Sequence, residues 1–103
     1  MFRLSLALLV ALLTATQASA ETFSREQLAV KKEIVRHNTP SAVALRITVE
    51  RISGKYAMGK VTSADGTGET ETVYLERKKG RWTVLDQGTG ATPYDAGIPL
   101  GAW

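Results

Sequence analysis

Apolar residues recur every three or four positions between Thr22 and His37, which is the spacing of an amphipathic helix. One side of the predicted helix is apolar and the opposite side is charged. The apolar side carries Phe23, Leu28, Val30, Ile34 and Val35, and the charged side carries Arg25, Glu26, Lys32, Glu33 and Arg36. Asn38 and Pro40 end the helix, because proline cannot continue a helix and restricts the residue before it.

From Ala42 onward the hydrophobic period changes to two, which predicts β-strands. Four strands follow one another along the chain, separated by turn signals. They are predicted to start at Ala42, Lys55, Thr70 and Arg81, with turns at Ser53-Gly54 and Lys79-Gly80 and a glycine-rich loop over residues 64–69.

A two-residue turn at Lys79-Gly80 would fix the register of the last hairpin. Val84 then lies opposite Leu75, and Trp82 lies opposite Arg77 on the same face. The same register makes Tyr74 and Leu85 neighbours on the other face. We therefore expect Trp82 to be a core residue.

A helix with one apolar side and a sheet with one apolar face must cover each other. The predicted fold class is α+β, with one N-terminal amphipathic helix packed on a four-stranded antiparallel meander. This domain spans residues 21–90 and is followed by an irregular tail, residues 91–103. The tail is rich in glycine and proline yet contains Tyr94, Ile98 and Trp103. We expect it to pack over a sheet edge or the open sheet face; the alternative is a flexible arm that inserts these side chains into a partner.

The first twenty residues have the features of a cleavable secretory signal peptide. A positive start at Arg3 precedes an apolar run from Leu4 to Leu13, and Ala18-Ser19-Ala20 provides a small-residue cleavage site before Glu21. That run is about half the roughly 20 residues needed to cross a bilayer. We expect an exported protein, in the periplasm or the external medium, with no transmembrane segment after cleavage.

Composition limits the possible partners and the sources of stability. The chain has no cysteine, so a small exported domain must here be stabilised by apolar burial without disulfides. Removal of Arg3 with the leader changes 13 Lys+Arg to 12, against 10 Asp+Glu. This near balance of charge gives no reason to expect nucleic-acid binding. The sequence does not indicate the oligomeric state.

The patterns of common catalytic and metal sites are absent from the sequence. The glycines after Asp86 follow a strand but lead into no helix, so they indicate strand termination and not a phosphate-binding loop. His37 is the single histidine, which disfavours zinc, and the loop with Asp65, Thr67 and Glu69 lacks the calcium pattern. We predict no catalytic residue, no metal and no cofactor.

Two parts of the chain are candidates for contact with a partner. The residues are the cationic group Arg77, Lys78, Lys79 and Arg81 and the tail side chains Tyr94, Ile98 and Trp103. The leading hypothesis is a non-enzymatic module that binds a protein or an envelope component, for example as an inhibitor. The alternatives are a small hydrolase or isomerase with His37 or an acid such as Glu50 or Asp86 in the sheet concavity, and a carrier of a small apolar ligand between helix and sheet.

The sequence of the final hairpin resembles that of a known type of domain. Val73 and Leu75 lie in the first strand of the hairpin, and the GxWxVLxxGT pattern that follows is formed by Gly80, Trp82, Val84, Leu85, Gly88 and Thr89. This pattern resembles small exported bacterial α+β domains without an assigned activity, whose shape is similar to that of cystatins. The resemblance implies a helix on an antiparallel sheet. The chain lacks the QxVxG loop of cystatins, so inhibition of cysteine proteases is not implied.

Overall fold

The computed structural model describes residues 24–41 and 43–103. Helix α1, residues 24–37, is followed by four strands. These are β1 (Leu45–Ser53), β2 (Tyr56–Ser63), β3 (Glu71–Lys78) and β4 (Arg81–Gly88), joined in an antiparallel sheet in the order β1-β2-β3-β4. The predicted α+β class, one helix with a four-stranded antiparallel sheet, is confirmed. The predicted signal peptide, residues 1–20, and Phe23 lie outside the described residues.

Helix α1 packs on one face of the sheet through Val30 and Ile34, which are both fully buried. Their partners in this core are Ala57, Val61, Val73, Leu75 and Trp82. Leu28 and Val35, predicted on the buried side, are instead 51% and 45% exposed. They lie on the flank of the helix beside β1, where they line surface depressions with β1 residues and do not reach the central strands.

The helix approaches the sheet closely at Gly59 in β2. A Cβ placed on Gly59 would lie 2.9 Å from the backbone oxygen of Thr48 and 3.0 Å from Cδ1 of Ile34. Both distances are shorter than ordinary van der Waals contact, so a side chain at this position would have to displace the strand or the helix. The absence of a side chain at Gly59 therefore allows the close contact between Ile34 and the sheet.

Polar contacts fix both ends of α1 to the β3–β4 hairpin. Near the helix start, the indole nitrogen of Trp82 donates to Oε2 of Glu26 at 2.9 Å. At the helix end, the side-chain amides of Asn38 and Gln87 bond reciprocally, at 3.0 and 2.6 Å. Nδ2 of Asn38 also donates to the carbonyl of Ile34 at 2.7 Å, and Nε2 of Gln87 donates to Glu71 at 3.1 Å.

The two polar contacts lie far apart along both elements. Between Glu26 and Asn38 the helix rises about 18 Å at 1.5 Å per residue. The strand partners of Trp82 and Gln87 are Arg77 and Val73, four residues apart in β3, which corresponds to about 13 Å at 3.3 Å per residue. With a contact near each end, α1 is held in one register along the hairpin.

The predicted register of the β3–β4 hairpin is confirmed at its turn end. Leu75 pairs with Val84, and Arg77 pairs with Trp82. The turn has positive φ at Lys79 (53°) and Gly80 (77°), as a two-residue type I′ turn requires.

Beyond this end a β-bulge changes the pairing. Tyr74 pairs with Asp86, so Leu85 is the extra residue of β4 and does not lie directly opposite Tyr74. Leu85 still packs against the cluster that contains Tyr74.

The tail, residues 91–103, covers the sheet face opposite the helix. Ile98 is 5% exposed and forms a second cluster with Tyr56 and Tyr74. Partly buried residues around this cluster are Met58, Leu85, Ala91, Ala96, Ala102 and Trp103. Near its end the tail accepts a hydrogen bond at 2.8 Å, from the Ser53 hydroxyl to the Ala102 carbonyl. The sheet is therefore the middle of three layers.

Candidate functional site: the basic end of the sheet

Both tight turns of the meander lie at the same end of the sheet. In an antiparallel meander the β1–β2 and β3–β4 connections must fall on one side, and the β2–β3 connection on the other. The backbone N–H of Arg77 donates to the carbonyl of Lys55 at 2.7 Å, which joins the two turn regions directly. Cationic residues that are distant in sequence consequently become neighbours here.

We call this region the basic end and define it by six side chains. They are Arg51 and Lys55 from β1 and its turn, and Arg77, Lys78, Lys79 and Arg81 from the β3–β4 hairpin. All six are exposed. The structure thus brings the four predicted hairpin cations together with two further cations that the sequence analysis did not select.

Glu76 accepts ion pairs from two lysines of the basic end. Its carboxylate lies 3.3 Å from Nζ of Lys55 and 3.3 Å from Nζ of Lys78. Partial burial alone would raise the pKa of Glu76, but the two lysine contacts outweigh that effect and hold the pKa below its ordinary value of 4.5. The same carboxylate raises the pKa of Lys55.

This shift predicts a pH-dependent contribution to stability. Because the folded-state pKa of Glu76 is depressed, its contribution is present above the unfolded-state pKa and is lost as pH falls through the folded-state pKa. Glu76→Gln is therefore expected to be less stable than the native protein at about pH 7, with a gap that narrows as pH falls below 4.5 and closes once the carboxylate is protonated in the folded state. Urea denaturation at a series of pH values measures this gap.

Glu69→Gln provides a matched control, because Glu69 is exposed and forms none of the ion pairs seen among the described residues. A stability gap for Glu76→Gln that stays constant from neutral to acid pH would contradict the prediction.

Three cations of the basic end lie over aromatic rings. Cζ of Arg51 is 5.3 Å from the ring centroid of Trp103, and Nζ of Lys55 is 5.4 Å from that of Tyr56. Cζ of Arg77 is 5.8 Å from the ring centroid of Trp82. Cation–π attraction within about 6 Å restrains these side chains while leaving their charges in solvent.

Arg77 has a second restraint, an ion pair at 3.2 Å with Oε1 of Glu26 on the helix. Lys79 and Arg81, by contrast, take part in no ion pair within residues 24–41 and 43–103. Glu26 and Glu76 are thus the acids that pair with the basic end. Most of its positive charge remains available to a ligand.

A shallow depression extends the positive surface onto the helix. It has a volume of about 410 Å³ and lies between α1 and the β3–β4 turn, with Lys32, Arg36 and Arg81 at its rim and Trp82 at its side. Arg36 is held by Glu33 through contacts of 2.5 and 2.8 Å, which lower the pKa of Glu33. Lys32 adds a seventh cation close to the basic end.

The predicted tail residues fall into three environments. Ile98 is buried in the tail cluster and contributes to packing, so it is not part of an accessible surface. Trp103 is partly buried, with its ring centroid 6.4 Å from that of Tyr74. Tyr94 is 89% exposed and Leu100 is fully exposed. Only Trp103 joins the basic end, through Arg51.

The side chains suggested for an enzyme are not assembled into one site. His37 is an exposed residue at the end of the helix. Asp86 pairs with Tyr74, whose ring lies on the tail side of the sheet, and Glu50 occupies an irregularity in β1 at the sheet edge. Within the described residues no group of three or more histidine, cysteine, aspartate or glutamate side chains could hold a metal ion.

Sequence reasoning missed Arg51, Lys55 and Glu26 at this site. A usable signal existed, since a predicted meander places the Ser53-Gly54 and Lys79-Gly80 turns at the same end of the sheet. That topology would have grouped Lys55 with the hairpin cations. Glu26 had no such signal, because its contact depends on how the helix lies across β4.

Comparison with known proteins returned no match: no family model, no curated protein and no solved structure corresponds significantly to this chain. None of the described helical residues forms a stretch long and apolar enough to cross a membrane.

Proposed function

We propose that the protein is a non-enzymatic binding module whose basic end engages a negatively charged protein or cell-envelope component. The observation that supports this proposal is the grouping of six exposed cations at one end of the sheet, where ion pairs are formed by Glu26 and Glu76. A positive surface of this kind attracts anionic partners over distances comparable with the Debye length.

The cations are also held in place before a partner arrives. Arg51, Lys55 and Arg77 each lie over an aromatic ring, so part of their side-chain freedom is already restricted. Binding then costs less conformational entropy than it would for freely moving side chains. Lys79 and Arg81 project from the tight turn beside them.

Export agrees with this function. The predicted signal peptide over residues 1–20 would deliver the protein to the periplasm or external medium, where anionic lipids and acidic proteins are both available. The partner chemistry required by the basic end is a cluster of carboxylates or phosphates.

The other two functions receive less support. The enzyme alternative would place His37 or an acid in the sheet concavity, but His37 is exposed at the end of the helix and Glu50 is exposed on the edge strand. Asp86 pairs with Tyr74, which belongs to the cluster covered by the tail. An apolar ligand carrier would need space beneath the helix. There Val30 and Ile34 are fully buried, and a single added Cβ at Gly59 would collide with the strand.

The test measures binding after removal of Lys79 and Arg81, two of the three cations of the basic end that form no ion pair among the described residues. Lys79→Gln/Arg81→Gln should weaken binding to vesicles of phosphatidylglycerol and phosphatidylcholine, or to polyglutamate, by roughly 30-fold, since each cation near an anionic surface contributes about 1 kcal/mol. Co-sedimentation measures the first arm and fluorescence anisotropy the second. The arm that responds identifies the class of partner.

Lys31→Gln/Lys60→Gln is the matched control, because it removes two charges that lie outside the basic end, Lys31 on the helix and Lys60 in the middle of β2. It should change binding by less than about threefold. Equal losses in both variants would mean that net charge alone governs binding. Equal losses, or no binding of the native protein in either arm, would overturn the proposal.

A further inference from the structure

An apolar strip remains uncovered along the first strand. We call it the β1 groove; it is formed by Leu28 and Val35 of the helix and by Val43, Leu45, Ile47 and Val49 in and before β1. Val43 is 54% exposed, and Leu28 and Val35 are each about half exposed. Two depressions of about 370 and 220 Å³ meet at Ile47. The depressions also have polar lining residues, among them Gln27, Lys31 and Asn38, and the exposed apolar side chains between them form a candidate interaction surface.

The backbone of β1 is also open along this strip. β1 is an edge strand that pairs with β2, and none of the described residues pairs with its other side. The N–H of Ala64 donates to the carbonyl of Ala44 at 2.9 Å, so in an antiparallel ladder the backbone groups of Leu45, Ile47 and Val49 point away from β2. These unpaired groups can accept another strand.

The charges on β1 indicate what that strand is. If two copies pair β1 with β1 about a twofold axis at Thr48, Arg46 of each copy lies opposite Glu50 of the other, and Ile47 lies opposite Val49. In this register Ile47 and Val49 form the hydrogen-bonded pairs, and their backbone groups are among those that face the open edge of β1. Arg46 and Glu50 are exposed, and neither forms an ion pair within the described part of the chain.

We propose that the protein forms a homodimer through antiparallel β1–β1 pairing, which extends the sheet across two copies and covers both β1 grooves. Such an interface is isologous, since the same patch serves both copies. The antiparallel arrangement places the two basic ends at opposite extremes of the dimer. Each basic end lies beside the other copy's Asp65 and Glu69 end, so like charges are kept apart.

The dimer extends beyond the proposed binding function, because it presents two basic ends on one particle. A repetitive anionic partner can then be contacted twice, which increases avidity without any new contact. Dimerisation and anion binding use separate residues, so either proposal can fail alone.

A charge reversal with its compensating swap tests the dimer. Protein purified after expression of the full chain should sediment as a dimer in analytical ultracentrifugation. Arg46→Glu should weaken dimerisation at least about tenfold, because two attractive cross-strand pairs become repulsive, and Arg46→Glu/Glu50→Arg should restore it. Leu28→Glu, which places a charge in the groove without altering the strand, should also dissociate the dimer.

Arg25→Glu is the control, since Arg25 is exposed on the charged side of the helix. It should leave the dimer intact. Circular dichroism verifies that each variant is folded. A native protein that is monomeric up to millimolar concentration overturns the proposal. A dimer that resists both Arg46→Glu and Leu28→Glu, or a swap that fails to restore Arg46→Glu, overturns the β1 interface.

Discussion

Gly59→Ala is expected to lower the free energy of unfolding by about 2 kcal/mol, because its new methyl group overpacks the contact between helix and sheet. The methyl would lie 2.9 Å from the backbone oxygen of Thr48, which cannot move without shifting β1. It would also lie 3.0 Å from Cδ1 of Ile34. For a domain of this size the melting temperature should fall by about 10 °C.

Gly88→Ala is the matched control. It lies at the end of β4 without a positive φ, and no atom lies within 4 Å of its added Cβ. The stability of this variant should stay within about 0.5 kcal/mol of the native protein.

A double mutant separates the two collisions at Gly59. Ile34→Val removes Cδ1 and by itself should lower the free energy of unfolding by about 1 kcal/mol. In that background Gly59→Ala should cost about 0.5–1 kcal/mol less than in the native protein, since only the strand collision remains. Chemical denaturation gives all four free energies. Strict additivity would show that Ile34 does not rest on Gly59.

The second large effect is expected for Ile98→Ala, which should lower the free energy of unfolding by about 2–4 kcal/mol. Ile98 is 5% exposed and packs with Tyr56 and Tyr74, so truncation leaves a cavity between tail and sheet. The tail should then be cleaved faster by proteases, because its detachment exposes residues 91–103. Mass spectrometry of limited digests locates the cut, and denaturation measures the lost stability.

Leu100→Ala serves as the control from the same segment, because Leu100 is fully exposed. It should change stability by less than about 0.5 kcal/mol and leave the digestion pattern unchanged. If Ile98→Ala behaved like Leu100→Ala, the tail would be a free arm, and the alternative of insertion into a partner would be favoured.

Local signals predicted the hairpin well and the helix packing less well. The Lys79-Gly80 turn determined the pairing of Leu75 with Val84, because a two-residue turn allows a single register. No local pattern predicted the bulge at Leu85. Val84 and Leu85 are both apolar, and each packs on an apolar cluster on its own face of the sheet, as it would in a strand without a bulge. On the helix, periodicity grouped Leu28 and Val35 with the buried Val30 and Ile34. Periodicity identifies an apolar arc but not how much of that arc the sheet covers.

The site was predicted only where its residues are contiguous in sequence. Arg77, Lys78, Lys79 and Arg81 were identified as one charge cluster. Arg51 and Lys55 join them through strand pairing, which is a tertiary property. A packed tail was expected, but no sequence signal distinguished the buried Ile98 from the exposed Tyr94, because burial depends on the path by which the tail crosses Tyr56 and Tyr74.

The two polar contacts that anchor the helix restrict where residues can be inserted into or deleted from the chain. Glu26 contacts Trp82 and Asn38 contacts Gln87, so the positions of the two partners on β4 fix the number of helical residues between the anchors. One inserted or deleted residue between the anchors would rotate one end by about 100° and break its contact. Insertions should therefore be excluded from α1 and tolerated in the exposed loop at residues 64–70, where added chain costs little closure entropy.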